Sequence, residues 1–149
     1  MNNNDLNIAY SEAISKDEEA IKHLLKSLKG DWAEFNIERF YLAKNKNIVI
    51  GCIRTKIFED GFLELASLAV DKNYQHQGIG SALIKELLSK EEHRPIFLLT
   101  SSDKENFYKK FDFNTIEPLD LPNEFKKEYS KIIAMPFTKD LKVIAMAIK

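Results

Sequence analysis

Gln75-His76-Gln77-Gly78-Ile79-Gly80 follows the apolar run Phe62-Leu63-Glu64-Leu65-Ala66-Ser67-Leu68-Ala69-Val70-Asp71 and leads into Ser81-Ala82-Leu83-Ile84-Lys85-Glu86-Leu87-Leu88. A strand-like run, a turn with two glycines and an amphipathic stripe, in that order, describe a strand-to-helix turn. Glycine reaches backbone angles closed to other residues, so successive N–H groups can converge on one point, and the positive end of the helix dipole adds to them. The turn is therefore a candidate cradle for a diphosphate. A tight turn with no ligand is the plainer reading.

On the N-terminal side, Leu6 to Ala13 reads as a strand, and Ser15-Lys16-Asp17-Glu18 has the form of a capping box. The helix predicted to follow carries Ile21, Leu24, Leu25 and Leu28 as a core stripe and stops at Gly30. Residues 31 to 38 are ambiguous. Arg39 to Lys44 and Ile48 to Phe58 read as a hairpin across the turn-rich Lys44-Asn45-Lys46-Asn47, and Asp60-Gly61 marks a second reversal into Phe62 to Val70. On the C-terminal side, the stripe Ile79, Leu83, Ile84, Leu87 and Leu88 predicts a helix ending before Pro95.

Ile96 to Thr100 lacks polar alternation and suits a strand covered on both faces. Reached through a helix, it should lie parallel to the strand before the turn. Ser102-Asp103-Lys104-Glu105 repeats the capping pattern before a short helix through Lys110, with a strand near Phe113 to Glu117. Leu121-Pro122 opens a helix bearing Phe125 and Tyr129. Both Ile132 to Phe137 and Val143 to Ile148 are strand-like, and the second is favoured as the last strand. The fold class expected, on this pattern together with the family resemblance that the same segments carry, is α/β (α+β), with a mixed, mostly antiparallel sheet of six to seven strands, a central parallel pair and about four helices.

Length and charge narrow the function classes. A chain of 149 residues with 44% apolar content suits a single domain over residues 1–149, residues 1–5 being a frayed start. Net charge of −1 offers no general attraction to nucleic acid or to an anionic membrane. One cysteine, Cys52, and three scattered histidines leave no disulfide and no Cys/His metal cluster, so no metal is expected. Neither a membrane span nor a secretory signal is legible, and a cytoplasmic setting is expected.

The run, the turn and the following helix resemble the Gcn5-related N-acetyltransferase (GNAT) family, whose acetyl-CoA loop has the form Gln/Arg-x-x-Gly-x-Gly/Ala. Phe107-Tyr108-Lys109-Lys110-Phe111-Asp112-Phe113 is a second family-like block, in the family's order. The resemblance covers roughly residues 6 to 148. It implies acetyl-CoA (coenzyme A) as cofactor, with its diphosphate on the backbone around Gln75, His76, Gln77, Gly78, Ile79, Gly80 and Ser81. It also implies a pantetheine arm along Leu68, Ala69 and Val70, where the N–H of Leu68 or Ala69 can bind an oxyanion. Tyr108 is implied as proton donor to the departing sulfur, with Phe107 beside it. Asp112 departs from the family's usual glycine, which puts the local turn in doubt.

Thr100 and Asn106 are further candidates for cofactor contact, whereas Ser102 reads more simply as a cap. By strict alternation Glu64, Ala66, Leu68 and Val70 share a face, so Glu64 would be a carboxylate on an apolar row, with a raised pKa suited to a general base acting directly or through water. A dinucleotide-binding reading of Gly78-x-Gly80 fails because Leu83 stands where the third glycine belongs, and no Gly-Lys-Ser/Thr follows for a nucleotide-triphosphate loop. His76, His23 and His93 read as surface residues and Cys52 as buried filler.

Leu99-Thr100 through Phe113, followed by Leu121-Pro122-x-Glu124, also resembles the acetyltransferase domain of N-acetylglutamate synthases and their small relatives. That implies a small amino-acid-like amine as acceptor, with Arg54 as the candidate partner of its carboxylate and Arg39 or Lys56 behind it. Surface placement of these cations is the plainer alternative. The rival acceptors are a protein lysine or an N-terminal amine, and the rival class is a non-catalytic acyl-CoA sensor. The apolar last strand also offers an edge for homodimer pairing.

Overall fold

Backbone handedness at a few turns sets the strand pairing. The computed structural model describes residues 7–135 and 142–149. Lys46 and Asn47 both adopt positive φ (49° and 69°), the two-residue reversal whose twist matches a hairpin, and they join β2 (Phe40–Asn45) to β3 (Ile48–Ile57). The expected hairpin is present, with Asn45 opposite Ile48 and Phe40 opposite Arg54. β1 (Ile8–Glu12) pairs antiparallel with β2. At the second reversal Gly61 takes φ 86°, with the Phe58 N–H donating to the Phe62 carbonyl, and β4 (Leu63–Val70) follows.

β5 (Ile96–Ser101) lies parallel to β4, with Leu63 opposite Ile96. β7 (Val143–Ile148) is antiparallel to both β5 and β6 (Asn114–Ile116). The seven strands run in the order β1-β2-β3-β4-β5-β7-β6, so the last strand of the chain lies inside the sheet rather than at its edge. Among the described residues four helices accompany them: α1 (Glu18–Ser27), α2 (Ile79–Lys90), α3 (Glu105–Lys109) and α4 (Asn123–Ile133). Among the described residues no helix is long and apolar enough to cross a membrane.

The described chain divides into two compact units, whose boundaries cut through β3 and β4. The first runs to Thr55 and includes Ala66–Glu92. Its core joins Ile21, Leu24 and Leu25 of α1 to Phe40, Leu42, Cys52 and Ala69 of the strands, as the stripe in the sequence predicts. On α2, Ile79, Leu83, Ile84 and Leu87 are buried. A Cβ on Gly51 would lie 3.1 Å from Leu83 Cδ1 and 3.3 Å from the Ala69 carbonyl oxygen, so β3 carries glycine where α2 approaches it. The second unit holds Lys56–Leu65 and the described residues from His93 onward. Phe97, Leu121, Phe125, Ala145 and Ala147 form its core, with Phe58 edge-on to Phe125 at 5.2 Å.

Several local expectations are corrected. The cap of α1 is not built on Ser15 and Glu18. A short 3-10 turn over Ser15–Asp17 precedes the helix, and the Asp17 carboxylate accepts from the Ile14 N–H at 2.9 Å. Lys44 Nζ, 2.9 Å away, holds that carboxylate in place, while Glu18 pairs instead with Lys22 one turn on. Ser102 and Glu105 make no capping box either, because the Glu105 carboxylate accepts from Thr115 Oγ1 at 2.5 Å on β6. The left-handed residue that ends α1 is Lys29 (φ 55°), not Gly30, whose N–H follows it back to the Leu25 carbonyl. Ile132 lies in α4 rather than in a strand, and Phe137 falls outside the described residues.

Candidate active site

β4 does not alternate strictly. Ser67 takes φ 58°, a left-handed conformation that an extended strand does not accommodate, and the side-chain pattern changes there. Leu63, Glu64, Leu65 and Ala66 are all buried in succession, Ser67 and Leu68 are half-buried, and Ala69 enters the α1 core. Val70 lies toward α2, its Cγ2 3.9 Å from the position a Cβ on Gly80 would take. The continuous row Glu64-Ala66-Leu68-Val70 is therefore broken. A kink of this kind interrupts the regular exchange of N–H groups with a neighbouring strand.

Beyond β4 the chain is pinned at successive points before it reaches the glycines. Asp71 Oδ1 accepts from the Asn73 N–H at 2.9 Å, opening a 3-10 turn over Lys72–Tyr74. Tyr74 Oη accepts from Asn45 Nδ2 at 3.1 Å, and Gln75 Nε2 donates to the Val70 carbonyl at 2.9 Å. Gln75 thus ties the turn back to the strand it left. His76 (φ 65°) and Gly78 (φ 83°) are left-handed, and Ala82 N–H makes the first helical bond to the Gly78 carbonyl at 3.0 Å.

The residue before α2 is Gly78, which has no side chain to cap the helix. The amides of Ile79, Gly80 and Ser81 occupy the first turn of a twelve-residue helix, where intrahelical partners are missing, and a Cβ at Gly78 would meet nothing within 4 Å. Glycine serves there for its φ rather than for want of room. Those features fit a diphosphate group. A cleft of about 680 Å³ lies elsewhere in the unit, lined by Lys16, His23, Lys44, Asn47 and Asp71 among others, and none of Gln75 to Ser81 lines it.

Arg54, expected to meet a substrate carboxylate or to lie on the surface, does neither in this structure. It is 1% exposed, and its guanidinium donates to Ser67 Oγ and to the carbonyls of Asp31, Ala33 and Glu34. Cys52 is fully buried and burial pushes its thiol up to about 12, which makes it inert filler as expected.

In the second unit, Tyr108 is buried, with its ring edge-on to Phe107 at 5.1 Å and to Phe113 at 6.1 Å. Desolvation pushes its hydroxyl up to about 12. Phe107 is half-buried and Asn106 exposed on the same short helix, while Thr100 is half-buried at the end of β5 opposite Ile144. Glu64 is buried on β4 opposite Phe97. Asp112, where the family has glycine, adopts the glycine-like angle itself (φ 69°), and the Phe113 N–H still reaches the Tyr108 carbonyl at 3.4 Å. The substitution leaves the turn intact.

The model of the acetyltransferase (GNAT) domain family matches residues 36–115, which include β4, the glycine turn and the Tyr108 helix. The chain belongs to the GNAT family. Among curated proteins, an uncharacterised N-acetyltransferase of Chlorobaculum tepidum is 29% identical over 96 residues, 62% of this chain and 61% of that relative, so the match spans less than two thirds of the relative's length. Among solved structures, N-acetylglutamate synthase of Neisseria gonorrhoeae, complexed with coenzyme A and N-acetyl-glutamate, superposes with a TM-score of 0.75 at 21% identity, over 95% of this chain and 35% of that one. An Arabidopsis thaliana protein solved with the bisubstrate analogue CoA-Ac-MVNAL gives 0.60 at 22%, over 97% and 99%. Both share the GNAT fold with this chain.

Sequence reasoning located the glycine turn and Tyr108 but missed Ser67 and Tyr74. Nothing in Leu-Ala-Ser-Leu-Ala announces a positive φ. Tyr74 touches Asn45, far away in sequence, and only the folded hairpin brings the two together.

Proposed function

We propose that this chain is an acetyl-CoA-dependent N-acetyltransferase that moves the acetyl group to a primary amine by direct attack on the thioester. The observation that carries this reading is the first turn of α2, where three amides follow a left-handed glycine that has no side chain to cap the helix. Ile79, Gly80 and Ser81 would hold the diphosphate through N–H donors and the helix dipole, with His76, Gln77 and Gly78 shaping the turn. Bound acetyl-CoA supplies an acetyl thioester.

The N–H of Leu68 or Ala69, next to the kink at Ser67, would stabilise the oxyanion as the amine adds to the carbonyl carbon. Glu64 takes the proton that the amine loses, directly or through water. In the role that the family resemblance implies, Tyr108 would give its hydroxyl proton to the thiolate as the carbon–sulfur bond breaks. A phenol held near 12 is fully protonated at neutral pH, so the proton is present whenever the thiolate leaves. Arg54 has no acceptor role in this scheme, because the loop carbonyls hold its donors.

For the acceptor we favour a small amino-acid-like metabolite. The likeness to the N-acetylglutamate synthase structure over 95% of this chain supports that choice, and the likeness to a structure holding a peptide-bearing analogue supports a protein N-terminal amine as the second reading. Calorimetry with coenzyme A, together with thiol release across a panel of amino acids, peptides and lysine-containing proteins, tests the proposal. Tyr108→Phe is expected to lower kcat about 100-fold with coenzyme A affinity unchanged. Binding without turnover on any amine would make the chain a sensor, and absence of binding would end the proposal.

A further inference from the structure

Arg54 lies in β3 with its guanidinium buried, 5.3 Å over the Phe40 ring. Its Nη2 donates to the Ala33 carbonyl at 2.8 Å and the Asp31 carbonyl at 3.3 Å, and its Nη1 to the Glu34 carbonyl at 3.1 Å. The Asp31 carboxylate stands 3.6 Å away. The third side of the fork, Nε, donates to Ser67 Oγ at 2.7 Å, and that hydroxyl donates in turn to the Asp31 carbonyl at 2.6 Å. Ser67 is the left-handed residue at which β4 kinks, and Glu34 is left-handed as well (φ 51°). One guanidinium therefore joins two strained stretches of backbone through a planar set of donors.

A buried cation needs every donor met, and a left-handed serine costs energy that its surroundings must offset. Each requirement supplies the other. The guanidinium stays buried because Ser67 and the carbonyls of 31–34 accept from it, and Ser67 keeps its kink because its hydroxyl is fixed on both sides. We infer that Arg54 and Ser67 are positioning residues, which set the direction of the Leu68 and Ala69 N–H groups and couple that direction to the loop 31–34. Arg54→Lys cannot reproduce this, since an ammonium lacks the planar fork. The catalytic consequence rests on the function proposed above, whereas the coupling itself does not.

The test uses Ser67→Ala, Ser67→Gly and Arg54→Lys in the full chain. Glycine accepts the kink without strain and alanine does not, yet both remove the hydroxyl, so the pair separates backbone preference from the hydrogen-bonded link. Both serine variants are expected to lose kcat about tenfold or more while KM for acetyl-CoA moves less than about threefold, because a small misplacement of a donor acts on the transition state. Amide hydrogen exchange should accelerate together at 31–34 and at 68–69. Where Arg54→Lys does not fold, the serine variants carry the test.

Unchanged kcat in both serine variants of an active enzyme overturns the inference, as does faster exchange at 31–34 with 68–69 protected as in the wild type. Wild-type protein that fails to bind coenzyme A removes the proposed function instead. The concerted exchange then decides the coupling by itself.

Discussion

The helices α1 and α2 begin in opposite ways. At α1 the chain brings its own anion: the Asp17 carboxylate closes the turn on the Ile14 N–H and is itself held by Lys44 from β2. At α2 a left-handed glycine, with no side chain to cap it, opens the helix. Both starts offer backbone donors and a positive dipole end, so the difference lies in whether the protein satisfies them itself. A self-capped start contributes to folding. An uncapped start following a fixed turn can take an anion from solution, and the Asx turn, Tyr74 and Gln75 hold the approach to that turn in shape.

Making α2 resemble α1 should have the largest effect. Ser81→Asp places a carboxylate in the first turn, where it is expected to stabilise the helix by about 0.3–1 kcal/mol. The same charge about 5 Å from a diphosphate, at an effective dielectric of about 20, costs about 3 kcal/mol, so coenzyme A affinity should fall roughly 100-fold. Stability and affinity thus move in opposite directions, which calorimetry and thermal unfolding of one variant can read together. A rise in stability with affinity unchanged would place the cofactor's phosphates elsewhere.

Making α1 resemble α2 should cost less and act on stability alone. Asp17→Asn keeps an acceptor for the Ile14 N–H but leaves Lys44 without its buried counter-charge, a loss of about 1–2 kcal/mol. Burial pushes the Asp17 carboxyl up, but the Ile14 N–H and the Lys44 ammonium outweigh it, and the pKa lies below the ordinary 3.8. A carboxylate whose folded pKa is depressed contributes stability above its unfolded value and loses that contribution as pH falls through the folded one. Wild type should therefore lose part of its advantage over Asp17→Asn below about pH 4 and retain it fully at pH 7, as denaturant unfolding at the two pH values would report. An advantage independent of pH would show that the carboxylate's charge contributes nothing.

The two starts also differ in how legibly the sequence announces them. Gly78, between an apolar run and a helical stripe, carries its geometry in residue type, since few other residues reach φ 83°. The hairpin at Lys46-Asn47, the parallel pair and the buried faces of α1 and α2 were equally readable, because each depends on local periodicity or turn chemistry. The α1 cap was misread by one residue. Ser15 and Asp17 are both good caps by type, and Asp17 also pairs with Lys44, which is adjacent only after β2 has folded against the helix start. Arg54 was misread for the same reason, since the carbonyls that surround it come from a loop with no pattern of its own. Ser67 left no sequence signal at all, since the partners of its hydroxyl, Arg54 and the Asp31 carbonyl, are distant in sequence.

Helix ends extend the comparison to its smallest expected effect. α1 and α3 both finish with a left-handed residue that is not glycine, Lys29 (φ 55°) and Asp112 (φ 69°), and in each case the following N–H reaches back to close the last turn. Asp112→Gly removes the steric cost of the left-handed angle, about 1 kcal/mol for a residue that tolerates it as aspartate does, and adds back part of that as backbone entropy in the unfolded chain. The net gain should be about 0.5 kcal/mol, a rise in Tm of about 1–2 °C. Lys29→Gly should gain somewhat more, because lysine lacks the short polar side chain that eases aspartate into this region. The turn after α3 also sets where the Phe113 ring meets Tyr108, so kcat should be unchanged in Asp112→Gly if aspartate already holds that turn as glycine would. A change in kcat without a change in Tm would mean that the Asp112 carboxylate acts at the site, a role that the left-handed angle alone does not give it.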